Sequence, residues 1–370
     1  MLRLQRGSLL IEMMISSLIG TLLLYGALSV LLNSRSSFLT RDSLSRIEER
    51  GRLALEILSE DIRMSGYKGC VSSDAQSMVQ AVNLSGSWMQ PQLGIRGWSY
   101  AGTDFKASLG IYSISEGGFD TTSWEPHAAA DKGTGVDILR GNDVLELWVA
   151  EPYVMEITSA TQTQLNVDPS TMTGFPEAGD TDQERLLVVS DCARNILVKA
   201  DSFKSSGTVI LDPANTNDQS LQLTSMSQSQ AVMLQGRMYY LDIPSTRDRP
   251  SLYRKDINAD GSFKNAVEVL PGVLNLQFLY GESTNSELSA NRYVEASEVS
   301  DWSKVISIRI FLLVETEADN AVPVGSDFHY FGNNYSPENT EDKHVRRQYT
   351  TTVALRNRAL GLTITGAPGP

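Results

Sequence analysis

Hydrophobic and polar positions divide the chain into three stretches with different periods. From Ser8 to Leu32 the residues are apolar or small on every side, and the only charge is Glu12. At about 1.5 Å rise per residue a helix over this run spans a bilayer core of about 30 Å. A basic leader, Met1–Gly7, precedes it with Arg3 and Arg6 and no acid, the pattern that holds an N-terminus inside. The apolar run is too long for an ordinary secretory signal, and no small-x-small site follows it. From Phe38 to Met64 the pattern turns amphipathic. Leu44, Ile47, Gly51, Ala54, Leu55, Leu58 and Ile62 recur on one side. Asp42–Arg46, Glu48–Arg52 and Arg52–Glu56 place opposite charges four apart on the other. Gly66 is the predicted terminator. A continuous helix from Ser8 to Ser65 is a rod of roughly 87 Å.

Beyond Gly66 the period shifts to two. Residues 71–141 are loop-rich, with Trp88, Trp98 and Trp124 as local anchors. The alternation predicts strands at Asp143–Ala150, Arg185–Ser190, Ile196–Lys199, Thr208–Leu211, Arg237–Leu241, Val273–Tyr280 and Tyr349–Leu355. In Val273–Tyr280, Leu274, Leu276, Phe278 and Tyr280 share a face. Val305–Glu315 carries the strongest pattern, with Ile306, Ile308, Ile310, Leu312 and Val314 on one face. The expected architecture is α+β: a long N-terminal helix packed on a large antiparallel β-sheet domain with long loops. Its parts are leader 1–7, membrane or core helix 8–32, amphipathic half 33–66, β-rich domain 67–360 and a frayed tail 361–370.

Length and charge narrow the classes. The chain has 370 residues, 41% of them hydrophobic and 20% charged, which are globular values. A formal charge of -13 argues against a general nucleic-acid binder, and loss of Arg3 and Arg6 with the leader takes it to -15. Arg346, Arg347, Arg356 and Arg358 cluster near the end and read as a solvated strand edge.

Candidate chemistry is sparse. Glu12 in an apolar helix costs about 2.5–3.5 kcal/mol at a bilayer centre. It either reaches the interface or meets a positive group in an assembly, such as an α-amino group freed after Gly7. Cys70 and Cys192 form a disulfide if the domain is exported, or stay buried thiols if not. Asp256, Asn258 and Asp260, with Gly261, copy the first half of a calcium loop. Val267 stands where the closing glutamate belongs, so a hairpin turn between Ser251–Arg254 and Ala266–Leu270 competes with a calcium site. His127, His329 and His344 lack metal-ligand spacing, and no nucleophile–base arrangement is visible.

With these residues in view, the N-terminus resembles type IV pilin-like proteins: basic leader, Gly7, apolar helix, and Glu12 at the fifth position after the glycine. The PilW-type minor pilins resemble it more specifically. That resemblance rests on Gly51-Arg52-Leu53-Ala54-Leu55-Glu56, Asp61-Ile62-Arg63-Met64-Ser65-Gly66-Tyr67, Gly69-Cys70, Ser190-Asp191-Cys192, Pro271-Gly272-Val273, Leu276-Gln277-Phe278, Trp302-Ser303-Lys304-Val305, Arg347, Val353 and Ala354-Leu355-Arg356-Asn357-Arg358. It implies cleavage after Gly7 by a prepilin peptidase and methylation of Ser8, which stands where the family's mature chains begin with Phe or Met. It implies a structural minor pilin, not an enzyme, held in the inner membrane with its domain in the periplasm and then carried into the extracellular pilus. The implied partners are other minor pilins, the major pilin, a PilY-type tip adhesin and the inner-membrane assembly platform. A J-like minor pseudopilin of type II secretion shares the same N-terminus. A surface-binding module at the pilus tip, built from residues 71–141, is a third reading.

Overall fold

The computed structural model describes residues 6–67, 69, 78–80, 89–100, 114–115, 124–125, 138–172, 184–191, 194–213, 223, 229–244, 246–247, 249–285, 289–317, 327–336 and 342–359. The fold is α+β. One helix, α1 (Arg6–Met64), runs unbroken through both predicted halves over 59 residues, roughly 88 Å. It stops where the sequence stops it. Gly66 takes φ +67°, and its N–H donates to the Trp148 carbonyl. The backbone of Gly94 crosses here so closely that a Cβ on it would lie 2.3 Å from the Gly66 Cα.

The strands follow in chain order. They are β1 (Val79–Gln80), β2 (Ile95–Tyr100), β3 (Ile114–Ser115), β4 (Trp124–Glu125), β5 (Ile138–Leu139), β6 (Val144–Ala160) and β7 (Gln164–Val167). Next come β8 (Arg185–Ser190), β9 (Asn195–Lys204), β10 (Thr208–Leu211), β11 (Gln230–Asp242), β12 (Ser251–Ile257) and β13 (Val267–Pro271). The last are β14 (Val273–Glu282), β15 (Arg292–Val294), β16 (Val305–Glu315), β17 (Phe328–Tyr330), β18 (Asn333–Tyr335) and β19 (Arg346–Ala354), followed by a one-turn helix, α2 (Arg356–Ala359).

Two long strands shape the first sheet. The first parts of β6 and the last parts of β11 pair with each other inside an open sheet ordered β13-β12-β11-β6-β2-β4. Both strands then continue past an irregularity at Val232/Leu234, opposite Pro152. The first part of β11 pairs β8, and the last part of β6 pairs β7. Because β8-β9-β10-β7 are also paired in sequence, the ring β6-β7-β10-β9-β8-β11 closes into a six-stranded antiparallel barrel. Its buried cluster includes Met155, Leu165, Leu187, Val198, Phe203, Val209 and Met233. Closure removes the free edges that a strand pile of this size would otherwise expose.

The second sheet is ordered β15-β14-β16-β19. The main core lies between it, the open sheet and α1, with Ile47, Ala54, Leu58 and Ile62 packed among Leu147, Tyr239, Phe278, Ile310 and Val353. The two sheets are also bonded through the turn before β6. Asp143 accepts the Phe278 amide at 2.8 Å, Asn142 accepts the Leu276 amide at 3.0 Å, and Asn275 donates to the Gly141 carbonyl at 3.0 Å.

Several expectations need correction. Leu274 does not share the face of Leu276, Phe278 and Tyr280. A register shift between Val273 and Asn275 turns it outward onto Phe328 and Tyr330. A second shift opposite Gly281/Glu282 puts Val305, not Ile306, in line with Ile308, Ile310, Leu312 and Val314. Of the four C-terminal arginines, Arg347 on the edge strand β19 and Arg356 are exposed as expected, but Arg346 and Arg358 are not. Arg346 lies against Glu315 and Asp342, and the buried Arg358 donates to the carbonyls of Trp302 and Val305. Trp98 is a buried strand residue of β2 rather than a loop anchor. Trp88, Cys70, Cys192 and the tail 361–370 lie outside the described residues, as does the side chain of Trp124.

Candidate anchoring and assembly helix

Among the described residues, the first half of α1 packs against no other element of the fold. Large apolar residues from Leu10 to Leu39 are exposed on all sides, Met13 and Tyr25 each at 73%. The hydroxyls of Ser17, Thr21 and Ser29 fold back onto the carbonyls of Met14, Leu18 and Gly26, at 3.0, 2.9 and 2.8 Å. A helix whose polar atoms are satisfied internally suits an environment without water. Gly20 and Gly26 have open space where a Cβ would stand. Glu12 is exposed in the first turns of this half, and Gly7 and Ser8 lie in its helical backbone. By length and composition this helix can cross a membrane.

The second half is fixed into the domain. At Gly51 the helix presents bare backbone, and the Tyr349 ring of β19 lies where a Cβ would be, 2.4 Å from it. Glu48 is drawn to Arg347 of β19, and Arg50 pairs with Glu317 at 2.6 Å. The pair Asp42–Arg46 forms along the helix as its spacing predicts, at 3.0 Å. Near the helix end the buried Asp61 takes Arg237 Nη1 at 2.5 Å and the Tyr239 hydroxyl at 2.5 Å. Arg237 spans on to Glu151 at 2.7 Å. Burial, then the neighbouring Asp61 carboxylate, pushes the Tyr239 phenol far above its ordinary range, so it remains a donor. Asn357 Nδ2 donates to the carbonyls of Met64 and Ser65, at 3.4 and 3.0 Å, satisfying helix-end acceptors.

The segments that carry the family resemblance are thus brought together around this helix end. Gly51 meets Tyr349, Asp61 meets β11, Trp302 stacks edge-on against Tyr280 at 4.8 Å, and Asn357 and Arg358 close the seam. Gly69 sits against Ser190, where a Cβ would lie 2.4 Å from the Ser190 Cβ. The partners of Asp61 were not read from the sequence. The available signal was a lone arginine, Arg237, inside an otherwise apolar strand facing a lone acid on an apolar helix face.

The residues of the half calcium loop lie in the turn between β12 and β13. Asp256 pairs with Arg254 at 3.2 Å, Asn258 donates to Ser262 Oγ at 2.8 Å, and Asp260 accepts from Ser262 N and Oγ at 2.8 and 2.6 Å. Gly261 takes φ +86° in the turn that joins the antiparallel β12 and β13. Glu184, Arg185 and Lys264 line the same hollow as Asn258 and Asp260. These contacts are those of the hairpin turn that the spacing equally predicts. His344 lies with Asp342 and Arg249, and His329 with Asn334, in separate places.

The geometry defines a class: a β-rich domain built on one half of a helix whose other half is free, apolar and long enough to enter a membrane. Residues 238–357 match the family model PilW, Type IV Pilus-assembly protein W. The match supports a PilW-type assignment and, with it, a role in type IV pilus assembly. It runs from β11 through the second sheet to α2. No curated protein and no solved structure matches the chain.

Proposed function

We propose that the chain is a structural minor pilin of a type IV pilus, which primes assembly and forms part of the tip complex. The observation that carries this reading is the single unbroken helix, bare and apolar in one half and locked into the domain in the other. Such a subunit waits in the inner membrane with its domain in the periplasm. It leaves when neighbouring helices replace the lipid around it. Prepilin peptidase cuts after Gly7 and methylates Ser8. The freed α-amino group of a neighbour then pairs with Glu12, which sets axial register because a charge in an apolar bundle is tolerable only when paired. The partners are other minor pilins, the major pilin, the assembly platform and a PilY-type adhesin.

In the exported domain Cys70 and Cys192 form a disulfide, a reading supported by the contact of Gly69 with Ser190. Mass spectrometry of the chain from sheared filaments tests the proposal. The expected N-terminus is methylated Ser8. Absence of the chain from filaments, with type II secretion lost in the deletion strain, assigns it to the pseudopilins instead.

A further inference from the structure

A strained aromatic stands beside the outer strand of the second sheet. The two-residue turn between β17 and β18, Phe331-Gly332, has positive φ at both positions, +46° and +82°. Such a turn favours Asn-Gly, and a bulky side chain there strains the backbone. Phe331 is the one non-glycine residue with positive φ among the described residues. Its N–H donates to Gln348 Oε1 of β19 at 2.8 Å, and its half-buried ring meets Phe311 edge-on at 4.9 Å. Strain kept at a surface turn points to a side chain held there for contact.

The strand beside it has an open side. In the register of β19 with β16, Leu355 N–H donates to the Ile306 carbonyl and Thr316 N–H to the Val345 carbonyl, at 2.8 and 3.0 Å. Bonded positions alternate along an antiparallel pair. The odd residues from Arg347 to Val353 therefore bond β16, and Gln348, Thr350, Thr352 and Ala354 turn their N–H and C=O groups the other way. Among the described residues no strand bonds to that side. Thr350, Thr352 and Ala354 are exposed, and the stretch from Gln348 to Ala354 has no charge and no proline. Proteins usually blunt such an edge because it templates strand addition, so a bare one suits a partner that adds a strand. The ends of the stretch are basic. Arg347, which also reaches Glu48, and Arg356 are exposed on either side of it, in a chain of formal charge -13.

A second copy does not fit this edge. β19 runs in the same direction as α1, since Arg347 lies by Glu48, Tyr349 by Gly51 and Asn357 by Ser65. Two copies anchored in one membrane have parallel helices, and so parallel β19 strands. A two-fold axis between them sets every residue level with itself, whereas parallel bonding needs an offset of one residue. We infer that the β19 edge and Phe331 form the docking site for an extended segment of a different pilus subunit. That segment is uncharged in its middle, apolar where it passes Phe331 and acidic at its ends. It adds a strand to the second sheet by bonding the outward groups of Gln348, Thr350, Thr352 and Ala354. This rests on the reading of the chain as a pilus subunit and names the surface through which it joins a neighbour.

Hydrogen exchange on the full chain in detergent, resolved to single amides, tests the edge without any other subunit. The odd amides of β19 are slow in any case, being bonded to β16. The even amides of Gln348, Thr350, Thr352 and Ala354 are expected to be fast in the isolated chain. They are expected to slow at least tenfold with a short peptide of alternating threonine and valine that carries aspartate at each end. Slow even amides in the isolated chain overturn the inference, because the edge is then held from within, and so does a peptide that slows none of them. Sheared filaments test the partner. Thr350→Pro removes only an outward N–H, and Phe331→Asn relieves the turn while deleting the ring. Both variants are expected to keep the denaturation midpoint and to lower the abundance of the chain in filaments at least tenfold, while Thr350→Val leaves it unchanged. Normal abundance of either variant overturns the inference. A wild-type chain absent from filaments removes the pilin reading instead, and the peptide result alone then decides the edge.

Discussion

The contact of Asp61 with Arg237 and Tyr239 sets how firmly the helix holds its domain, and its removal has a size that can be worked out. Asp61→Ala deletes two short hydrogen bonds to a buried carboxylate. Breaking a buried ion pair from one side costs about 3–5 kcal/mol. Here Arg237 keeps Glu151, so the arginine is not stranded. The main loss is then the stranded Tyr239 hydroxyl, fully buried, plus the charge-assisted bonds, which puts the cost near the lower limit, at about 3 kcal/mol. Asp61→Asn keeps an acceptor for Tyr239 and is expected to cost about half as much. Tyr239→Phe alone should cost about 1–2 kcal/mol. Because Asp61 and Tyr239 touch, the double variant Asp61→Ala with Tyr239→Phe is expected to fall short of additivity by about 1 kcal/mol or more. Urea denaturation in detergent, followed by the fluorescence of the buried Trp148 and Trp98, measures all four chains. A loss under about 1 kcal/mol for Asp61→Ala, or strict additivity in the cycle, would refute the view that this contact locks the helix.

Gly51→Ala is expected to destabilise the chain despite alanine's higher helix propensity, because its methyl meets the Tyr349 ring; Gly20→Ala and Gly26→Ala meet nothing and should leave the denaturation midpoint unchanged or raised. Cys70→Ser or Cys192→Ser should each remove about 4–5 kcal/mol from the oxidised chain, the chain-entropy value for a loop of this length, and leave the reduced chain unaffected; equal midpoints with and without reductant would disprove the bridge. Burial pushes the Asp143 carboxyl up to about 8, against the amides of Phe278 and Tyr100, so the folded chain keeps a proton there that the unfolded chain releases near its ordinary 3.8. Its contribution is full below the unfolded value and is lost as pH rises to about 8, so Asp143→Asn should flatten the decline in stability between pH 5 and 8. Glu12→Ala should leave cleavage after Gly7 intact on immunoblots while removing the chain from sheared pili; normal incorporation would sink the register role.

Long periodic segments were legible in the sequence because burial acts on one residue at a time. The helix face of Ile47, Ala54, Leu58 and Ile62 follows from spacing alone, and so do the limits of β8, β10 and β16. What spacing does not encode is where a strand slips. The shifts at Leu274 and Ile306 each move one apolar residue to the opposite face without changing its hydrophobicity. The barrel was equally hidden. Its closure depends on β6 and β11 each running past Pro152 and Met233 into a second set of partners, which is a property of pairs rather than of either strand. The ion pairs of the seam join residues 176 positions apart, as in Arg237 with Asp61, and only a lone charge in an apolar run hints at them.

The distribution of the family match sharpens the division of labour within the domain. Residues 238–357 hold the second sheet and the parts of β11, β12 and β13 that face α1. The barrel lies almost wholly outside that span, and its buried cluster shares no residue with the core around the helix. The barrel reaches the seam at Asp61 only through β6 and β11, which carry Glu151, Arg237 and Tyr239, whereas the second sheet packs directly on the helix. The proposed role as a filament subunit would need this asymmetry. The surface that binds the rod must stay fixed, because an error of one turn there shifts the apolar half by about 5.4 Å along its axis. The seam, rather than the barrel, is where single substitutions should abolish assembly.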